Sequence, residues 1–130
     1  MNPMVTVENL PVIRDARGWV VEPVEERHLP GIRNVHVVWT EPGRLRGNHY
    51  HRATTEILLV TGPARVCWEE QGRRQETVVA EGEARRFFFP PGVPHVIQNI
   101  GTHPIVLVAF TNRPHDPARP DTVRHVLIEA

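Results

Sequence analysis

Apolar and polar side chains alternate along most of this chain, and the alternating segments are short. Glu56–Thr61 and Pro104–Thr111 have the period of two that is typical of β-strands, and glycine- or proline-containing turns separate such segments. Thirteen Pro and nine Gly also favour short elements joined by tight turns. We therefore expect an all-β sandwich or barrel of roughly nine to eleven strands without a helix.

The predicted strands can be read directly from this pattern. They are Val20–Val24, Ile32–Thr40, Arg44–His51, Glu56–Thr61, Ala64–Glu70, Gln75–Ala80, Arg85–Phe89, His95–Ile100, Pro104–Thr111 and Val123–Glu129. Gln71-Gly72-Arg73 predicts a β-hairpin. Because no repeat or linker interrupts the series, we expect one domain over residues 1–130.

Charge and composition exclude several classes of partner. The formal net charge is zero, from 15 basic and 15 acidic residues, so no global field favours nucleic acid or an anionic membrane. No apolar run approaches the ~20 residues of a transmembrane helix, and the N-terminus has no signal-peptide pattern. With a single cysteine, Cys67, no internal disulfide can form. We expect a cytoplasmic protein with a small-molecule substrate.

Four side chains have the chemistry of a metal site. His49 and His51 lie two apart in a predicted strand, so both imidazoles share one face. Glu56 begins the next strand, and His95 begins a later one after a proline-rich turn. Three imidazoles and one carboxylate suit a divalent transition metal and leave positions open for water or substrate. We expect one such ion, zinc first, with nickel, iron or manganese as alternatives.

The spacing of these residues resembles the two motifs of the cupin superfamily. Gly43–Gly62 contains His49, His51 and Glu56 at the spacing of the first motif, with a last gap of five residues where the family has six. Pro90–Asn99 matches the second motif around His95. The resemblance implies a double-stranded β-helix, the jelly-roll cupin barrel, with these four residues as metal ligands.

Two local resemblances narrow the cupin class. Asp15–Trp19, followed by Leu45–Tyr50, is similar to the dTDP-sugar 3,5-epimerases and 3,4-ketoisomerases, which typically need no metal. This chain departs from them in having His51 and Glu56, and Tyr50 is its sole tyrosine. Arg46–His51 and His115–Thr122 look more like the C-terminal zinc-binding cupin domain of capsular-polysaccharide sugar-nucleotide enzymes, a resemblance that covers most of residues 32–130.

These resemblances imply an isomerase or epimerase acting on a nucleotide-linked keto sugar. A metal in the barrel would stabilise the enolate that forms when a C–H next to the keto group is deprotonated. His36, on the strand face of Asn34 and Val38, is the candidate base. Candidate substrate-binding residues, as diphosphate clamps or a stacking platform, are Arg44, Arg46, Arg86 and Trp39.

Two other functions remain open from the sequence. The same ligands could hold iron in a metal-dependent dioxygenase, and a non-catalytic cupin could bind a small ligand, because many functions share this fold. We also expect a homodimer, with the N-terminal strands and the last predicted strand as candidate contacts.

Overall fold

The computed structural model describes residues 4–130. Its strands are β1 (Thr6–Asn9), β2 (Ile13–Asp15), β3 (Gly18–Val20), β4 (Asn34–Thr40), β5 (Leu45–His51), β6 (Glu56–Thr61), β7 (Ala64–Glu70), β8 (Arg73–Val79), β9 (Ala84–Phe89), β10 (His95–Asn99), β11 (Ile105–Thr111) and β12 (Thr122–Arg124). A short 3₁₀ helix spans Glu26–Gly31. None of the helices in this part of the chain is long and apolar enough to cross a membrane.

Ten of the strands form two five-stranded antiparallel sheets that face each other. The first sheet has the order β1-β9-β6-β11-β4, and the second has the order β12-β5-β10-β7-β8. Strands adjacent in sequence often lie in opposite sheets, which is the arrangement of a jelly roll. β2 and β3 form a separate hairpin. The predicted all-β jelly-roll fold is confirmed.

Alternation along the strands places the core between the two sheets. In β11, Ile105, Leu107 and Ala109 point inward and are at most 4% exposed, whereas Val106 and Val108 on the other face are partly exposed. β7 and β8 are joined by Gln71 and Gly72, which both have positive φ (54° and 73°), as a two-residue hairpin turn of the type I′ kind requires. The predicted hairpin is therefore present.

Three expectations about the secondary structure were wrong. Residues 4–130 form twelve strands where nine to eleven were expected, because β1 and β2 were not predicted, and they also form a 3₁₀ helix where none was expected. The strand predicted at Val20–Val24 ends at Val20, shortly before Pro23, which lacks the N–H that a ladder needs. The last strand ends at Arg124 and does not extend to Glu129.

The C-terminal tail leaves the sheet because the Asn48 side chain binds its backbone. The Asn48 side chain accepts hydrogen bonds from the backbone N–H of Leu127 (2.9 Å) and Ile128 (3.2 Å) and donates to the Ile128 carbonyl (3.0 Å). Ile128 then packs on Cys67 and Val96, on the outer face of the second sheet. The tail thus covers its own barrel and is not available for strand exchange in this conformation.

Candidate metal centre

A bulge in β5 turns the histidines of the candidate metal site into the barrel. His95 pairs with His49 while the next residue, Val96, pairs with Gly47, so Asn48 is an extra residue in β5. Gly47 and Asn48 have φ values of 103° and 57°, in the left-handed range. A Cβ on Gly47 would lie 2.6 Å from the His95 carbonyl oxygen, so only glycine fits there. Because of the bulge, Arg46 faces the same interior as His49.

Three imidazoles meet in this interior. His49 and His51 come from β5, and His95 comes from the neighbouring strand β10. One ring nitrogen from each lies within 4.8 Å of those of the other two. The ring centroid of His49 is 5.0 Å from that of His51 and 5.1 Å from that of His95. The side chains are therefore close enough to share one ion without a change of strand register.

Glu56 completes the cluster from the opposite sheet. Its Oε2 lies 3.2 Å from His51 Nε2, its Oε1 lies 3.5 Å from His95 Nε2, and the residue is only 6% exposed. Burial by itself raises the pKa of the Glu56 carboxyl, but the hydrogen bond with His51 and the proximity of His95 outweigh burial and hold that pKa below its ordinary value. Glu56 is therefore an ionised carboxylate among imidazoles.

His95 presents a lone pair to the cluster. Its Nδ1 lies 2.9 Å from the Val93 carbonyl oxygen, which can only accept, so Nδ1 carries the proton and donates it. In the neutral imidazole the lone pair is then on Nε2, and among the described residues this is a buried nitrogen without a hydrogen-bond partner. The ring stacks on Phe89 at a centroid distance of 4.2 Å. An orphaned, oriented imidazole nitrogen of this kind fits a metal ligand.

His49 is also held in the form that binds metals. Burial, followed by the proximity of His95 and His51, lowers the pKa of His49 from 6.5 to about 4. The imidazole is therefore neutral at pH 7. Neutral imidazoles with one carboxylate are a donor set that suits zinc, nickel, iron or manganese, so the residues present fit the expected ion.

The cluster opens into a cavity of about 250 Å³. His36 and Val38 of β4 form one wall, and Arg46 lies at another side. The Arg46 guanidinium donates to the Trp39 carbonyl (2.7 Å) and to Thr40 Oγ1 (3.3 Å), which links β5 to β4. The structure thus brings together the four predicted metal ligands, the candidate base His36 and the candidate clamp Arg46.

Three of the four predicted substrate-binding residues lie outside the set that lines this cavity. Arg86 is on the outer face of β9, 5% exposed, where its guanidinium pairs with Glu8 and lies 3.6 Å from Glu25. Trp39 is 59% exposed on the outer face of β4, because alternation places it opposite Val38. Arg44 is exposed and precedes β5, outside the residues that line the cavity.

Sequence reasoning missed the role of Asp121, which holds the segment between His51 and Glu56. The Asp121 carboxylate accepts hydrogen bonds from the backbone N–H of Ala53 (3.1 Å) and Thr54 (2.8 Å) and from Thr54 Oγ1 (2.6 Å). These residues connect His51 to Glu56, so Asp121 fixes the link between two candidate ligands. The signal in the sequence was Asp121 after a proline-rich loop, but its partner 67 residues away could not be read from it.

The fold and this pocket define the chain as a jelly-roll barrel of the cupin class. A dTDP-sugar isomerase from Desulfovibrio desulfuricans superposes with a TM-score of 0.80 over 94% of this chain and 83% of that chain, at 16% identity. The capsular polysaccharide assembling protein CapF from Staphylococcus aureus superposes with a TM-score of 0.66 over 89% of this chain and 32% of that chain, at 28% identity.

Within this class the chain belongs to the family described as the polysaccharide biosynthesis C-terminal domain, which matches residues 13–123. A UDP-2-acetamido-2,6-beta-L-arabino-hexul-4-ose reductase from Pseudomonas aeruginosa is 34% identical over 84 residues, 62% of this chain and 23% of the relative. The spore coat polysaccharide biosynthesis protein SpsL from Bacillus subtilis is 28% identical over 92% of this chain and 86% of its own length. The chain thus spans about a quarter of the reductase and about a third of CapF.

Proposed function

We propose that this protein is a metal-dependent isomerase or epimerase that acts on a keto sugar linked to a nucleotide. The observation that carries the proposal is the cluster of His49, His51, Glu56 and His95, which lies at the inner wall of an open cavity. The names of the relatives, a dTDP-sugar isomerase and a UDP-sugar reductase, support a sugar nucleotide as substrate.

Moving a proton on carbon next to a keto group needs a site that stabilises negative charge on the keto oxygen. A divalent metal held by the four side chains would supply that stabilisation as a Lewis acid. Leu58, Ile97 and Leu107 give the same cavity an apolar lining, which strengthens electrostatic interactions within it.

His36 is proposed to move the proton. It projects from β4 into the same cavity as Glu56 and His95. The Asn34 amide lies 3.4 Å from His36 Nδ1, on the inward face of the same strand. An imidazole can give and take a proton near neutral pH, which suits a reaction that removes and returns one.

Arg46 is proposed to bind the substrate near the metal site. Its guanidinium already donates to Trp39 and Thr40, so its position is fixed by β4. A fixed guanidinium with remaining N–H groups can donate to a sugar hydroxyl or a phosphate oxygen. Arg44, exposed ahead of the same strand, is a second candidate.

The proposal is tested by metal analysis and turnover on one preparation. Protein purified without chelator should contain about one transition-metal ion per chain, and it should exchange solvent deuterium into UDP- or dTDP-linked 4-keto-6-deoxy sugars. His36→Asn should abolish exchange and retain the metal. His103→Ala, which changes an exposed loop histidine, is the matched control.

Other outcomes separate the alternatives. O₂ consumption by the iron-loaded protein, without sugar exchange, would replace the isomerase with an oxygenase. Tight binding of a sugar nucleotide with neither turnover nor exchange would make the protein a binding module. A folded protein that retains no transition metal would contradict the metal site itself.

A homodimer is proposed from the outer face of β4. Val35, Val37 and Trp39 are 52%, 68% and 59% exposed on this edge strand, whose outer backbone edge pairs with no other strand among residues 4–130. The β2–β3 hairpin exposes Ile13 and Trp19 in the same way. Two uncovered apolar surfaces on one chain suit a symmetric dimer, in which the β4 surface of each protomer covers the β2–β3 hairpin of the other. Sedimentation of the wild type and Trp39→Glu tests this contact, because only the variant should be monomeric.

A further inference from the structure

A second cavity adjoins the first and shares His36 with it. Its volume is about 240 Å³, and His51 and Thr54 form its inner wall. The outer wall is the loop between β11 and β12, hereafter the 112–121 loop, which contributes Arg113, His115 and Arg119. The two cavities therefore meet at His36.

Two arginines of this cavity have unused hydrogen-bond donors. Among residues 4–130, the side chains of Arg113 and Arg119 form neither an ion pair nor a hydrogen bond. Arg46, at the other end of the metal cavity, differs because Trp39 and Thr40 already accept from its guanidinium. The free cationic donors thus lie on the 112–121 loop.

The acidic residues of the cavity are occupied within the protein. The Asp121 carboxylate accepts three hydrogen bonds from residues 53–54, and its pKa is held below the ordinary value because these bonds outweigh the effect of burial. Asp116 accepts from the backbone N–H of Ala118 within its own turn. Both carboxylates therefore order the loop, whereas the two guanidiniums extend from it.

The loop is fixed relative to the metal site. The backbone carbonyl of Asp121 accepts from the Arg52 N–H at 2.9 Å, and Asn112 Oδ1 accepts from the Thr55 N–H at 2.9 Å. The Arg119 N–H donates to the Asp116 carbonyl at 3.1 Å. Both ends of the 112–121 loop are thus tied to the segment between His51 and Glu56, which sets the spacing between its arginines and the cluster.

We propose that the second cavity is an anion subsite in which Arg113 and Arg119 bind the diphosphate of the substrate while the sugar occupies the metal cavity. The inference rests on the proposed function and adds the subsite to it. Guanidinium groups bind phosphate oxygens in a bidentate geometry, and a diphosphate presents oxygens for two of them. His115 lies on the same wall as a further donor.

Calorimetric titration with UDP, uridine and inorganic pyrophosphate tests the subsite without requiring turnover. The wild type should bind UDP and pyrophosphate but not uridine, with an affinity that falls as salt rises. Arg113→Ala and Arg119→Ala should each weaken UDP binding by about tenfold. Arg73→Ala, which removes an exposed arginine from the start of β8, is the matched control and should bind as the wild type does.

Several results would overturn the subsite. These are a wild type that binds neither UDP nor pyrophosphate at millimolar concentration, equal losses in Arg73→Ala and the loop variants, or a loss confined to Arg46→Ala. Binding of a sugar acid such as glucuronate in place of pyrophosphate would show that the arginines recognise a carboxylate, and would also overturn it.

The same variants distinguish failure of the subsite from failure of the proposed function. If the loop variants raise KM for the sugar nucleotide and leave kcat unchanged, both stand. Arginine-dependent binding of UDP without exchange of any keto sugar contradicts only the isomerase. Exchange with an unchanged KM in both loop variants contradicts only the subsite.

Discussion

The barrel interior has two halves that differ in packing and in polarity. One half is dry and filled by aromatic and branched side chains, namely Val60, Val66, Trp68, Val79, Phe87 and Phe89, all at most 8% exposed. The other half is an open cavity bounded by ionisable groups, His36, Arg46, His49, Glu56 and His95. The same strands build both, since Glu56 and Val60 belong to β6.

The difference teaches that one jelly roll can separate stability from chemistry within a single interior. Burial of apolar area in the closed half supplies most of the favourable free energy of folding. The open half holds a desolvated carboxylate and imidazoles, which folding alone does not favour. Phe89 joins the two halves, because it belongs to the apolar cluster and stacks on His95.

The largest expected effect is on stability, in the closed half. Phe87 is fully buried, and its ring centroid lies 5.8 Å from that of Phe89. Phe87→Ala should lower the free energy of unfolding by about 3–5 kcal/mol, because it leaves a cavity that the β-sheets cannot close. Denaturant unfolding measures this, and Val78→Ala, at a position 50% exposed on β8, is the control. A loss below about 1 kcal/mol would mean that this half is not the source of stability.

In the open half, a substitution should affect metal binding more than it affects stability. His49→Ala should change the stability of chelator-treated protein by less than about 1 kcal/mol, since it removes a partly buried imidazole that makes no hydrogen bond within its cluster. It should weaken Zn²⁺ binding by at least about 100-fold, because a ligand is lost. Calorimetric titration with Zn²⁺ measures the affinity, with His103→Ala as control. Unchanged Zn²⁺ affinity would place the ion elsewhere.

An intermediate effect is expected at Asp121, which belongs to neither half but ties them to the 112–121 loop. Asp121→Ala leaves the Thr54 hydroxyl and two backbone N–H groups without their acceptor, and should cost about 1–3 kcal/mol. Zn²⁺ affinity should fall by about tenfold, because the link between His51 and Glu56 loosens. Asp116→Ala, whose carboxylate binds only within its own turn, is the matched control. Equal effects from both variants would contradict this positioning role.

The sequence predicted the closed half better than the open one. Period-two alternation placed Glu56–Thr61 and Ala64–Glu70 with the bounds that the structure has. Motif spacing brought His49, His51, Glu56 and His95 into one cluster, because the family pattern already encodes the long-range pairing of β5 with β10. Alternation and motif spacing could both be read from the sequence without knowledge of the tertiary fold.

Strand faces in the open half could not be predicted from hydrophobicity. In β4 the apolar residues Val35, Val37 and Trp39 point outward, whereas Asn34 and His36 point inward, because the cavity they face is polar. The usual rule is inverted where a site replaces the core. The bulge at Gly47 and Asn48 was equally hidden, since Arg46 shares a face with His49 only after one extra residue is inserted.

The smallest expected effect is a pH dependence that follows from Asp121. Its pKa in the folded protein lies below the ordinary value of 3.8, since its hydrogen bonds outweigh burial. Between the two pKa values the unfolded chain binds more protons than the folded one, so stability rises with pH there. The stabilisation from Asp121 is therefore present above about pH 4 and is lost as the pH falls through the lower folded pKa.

The variant Asp121→Asn cannot titrate at this position, so its stability should fall less steeply with decreasing pH than that of the wild type. Denaturant unfolding of chelator-treated protein measures this, from pH 5 to the lowest pH that preserves the fold. The other carboxylates titrate in both proteins and cancel in the difference. Parallel curves would show that the Asp121 carboxylate does not need its charge to hold the segment between His51 and Glu56.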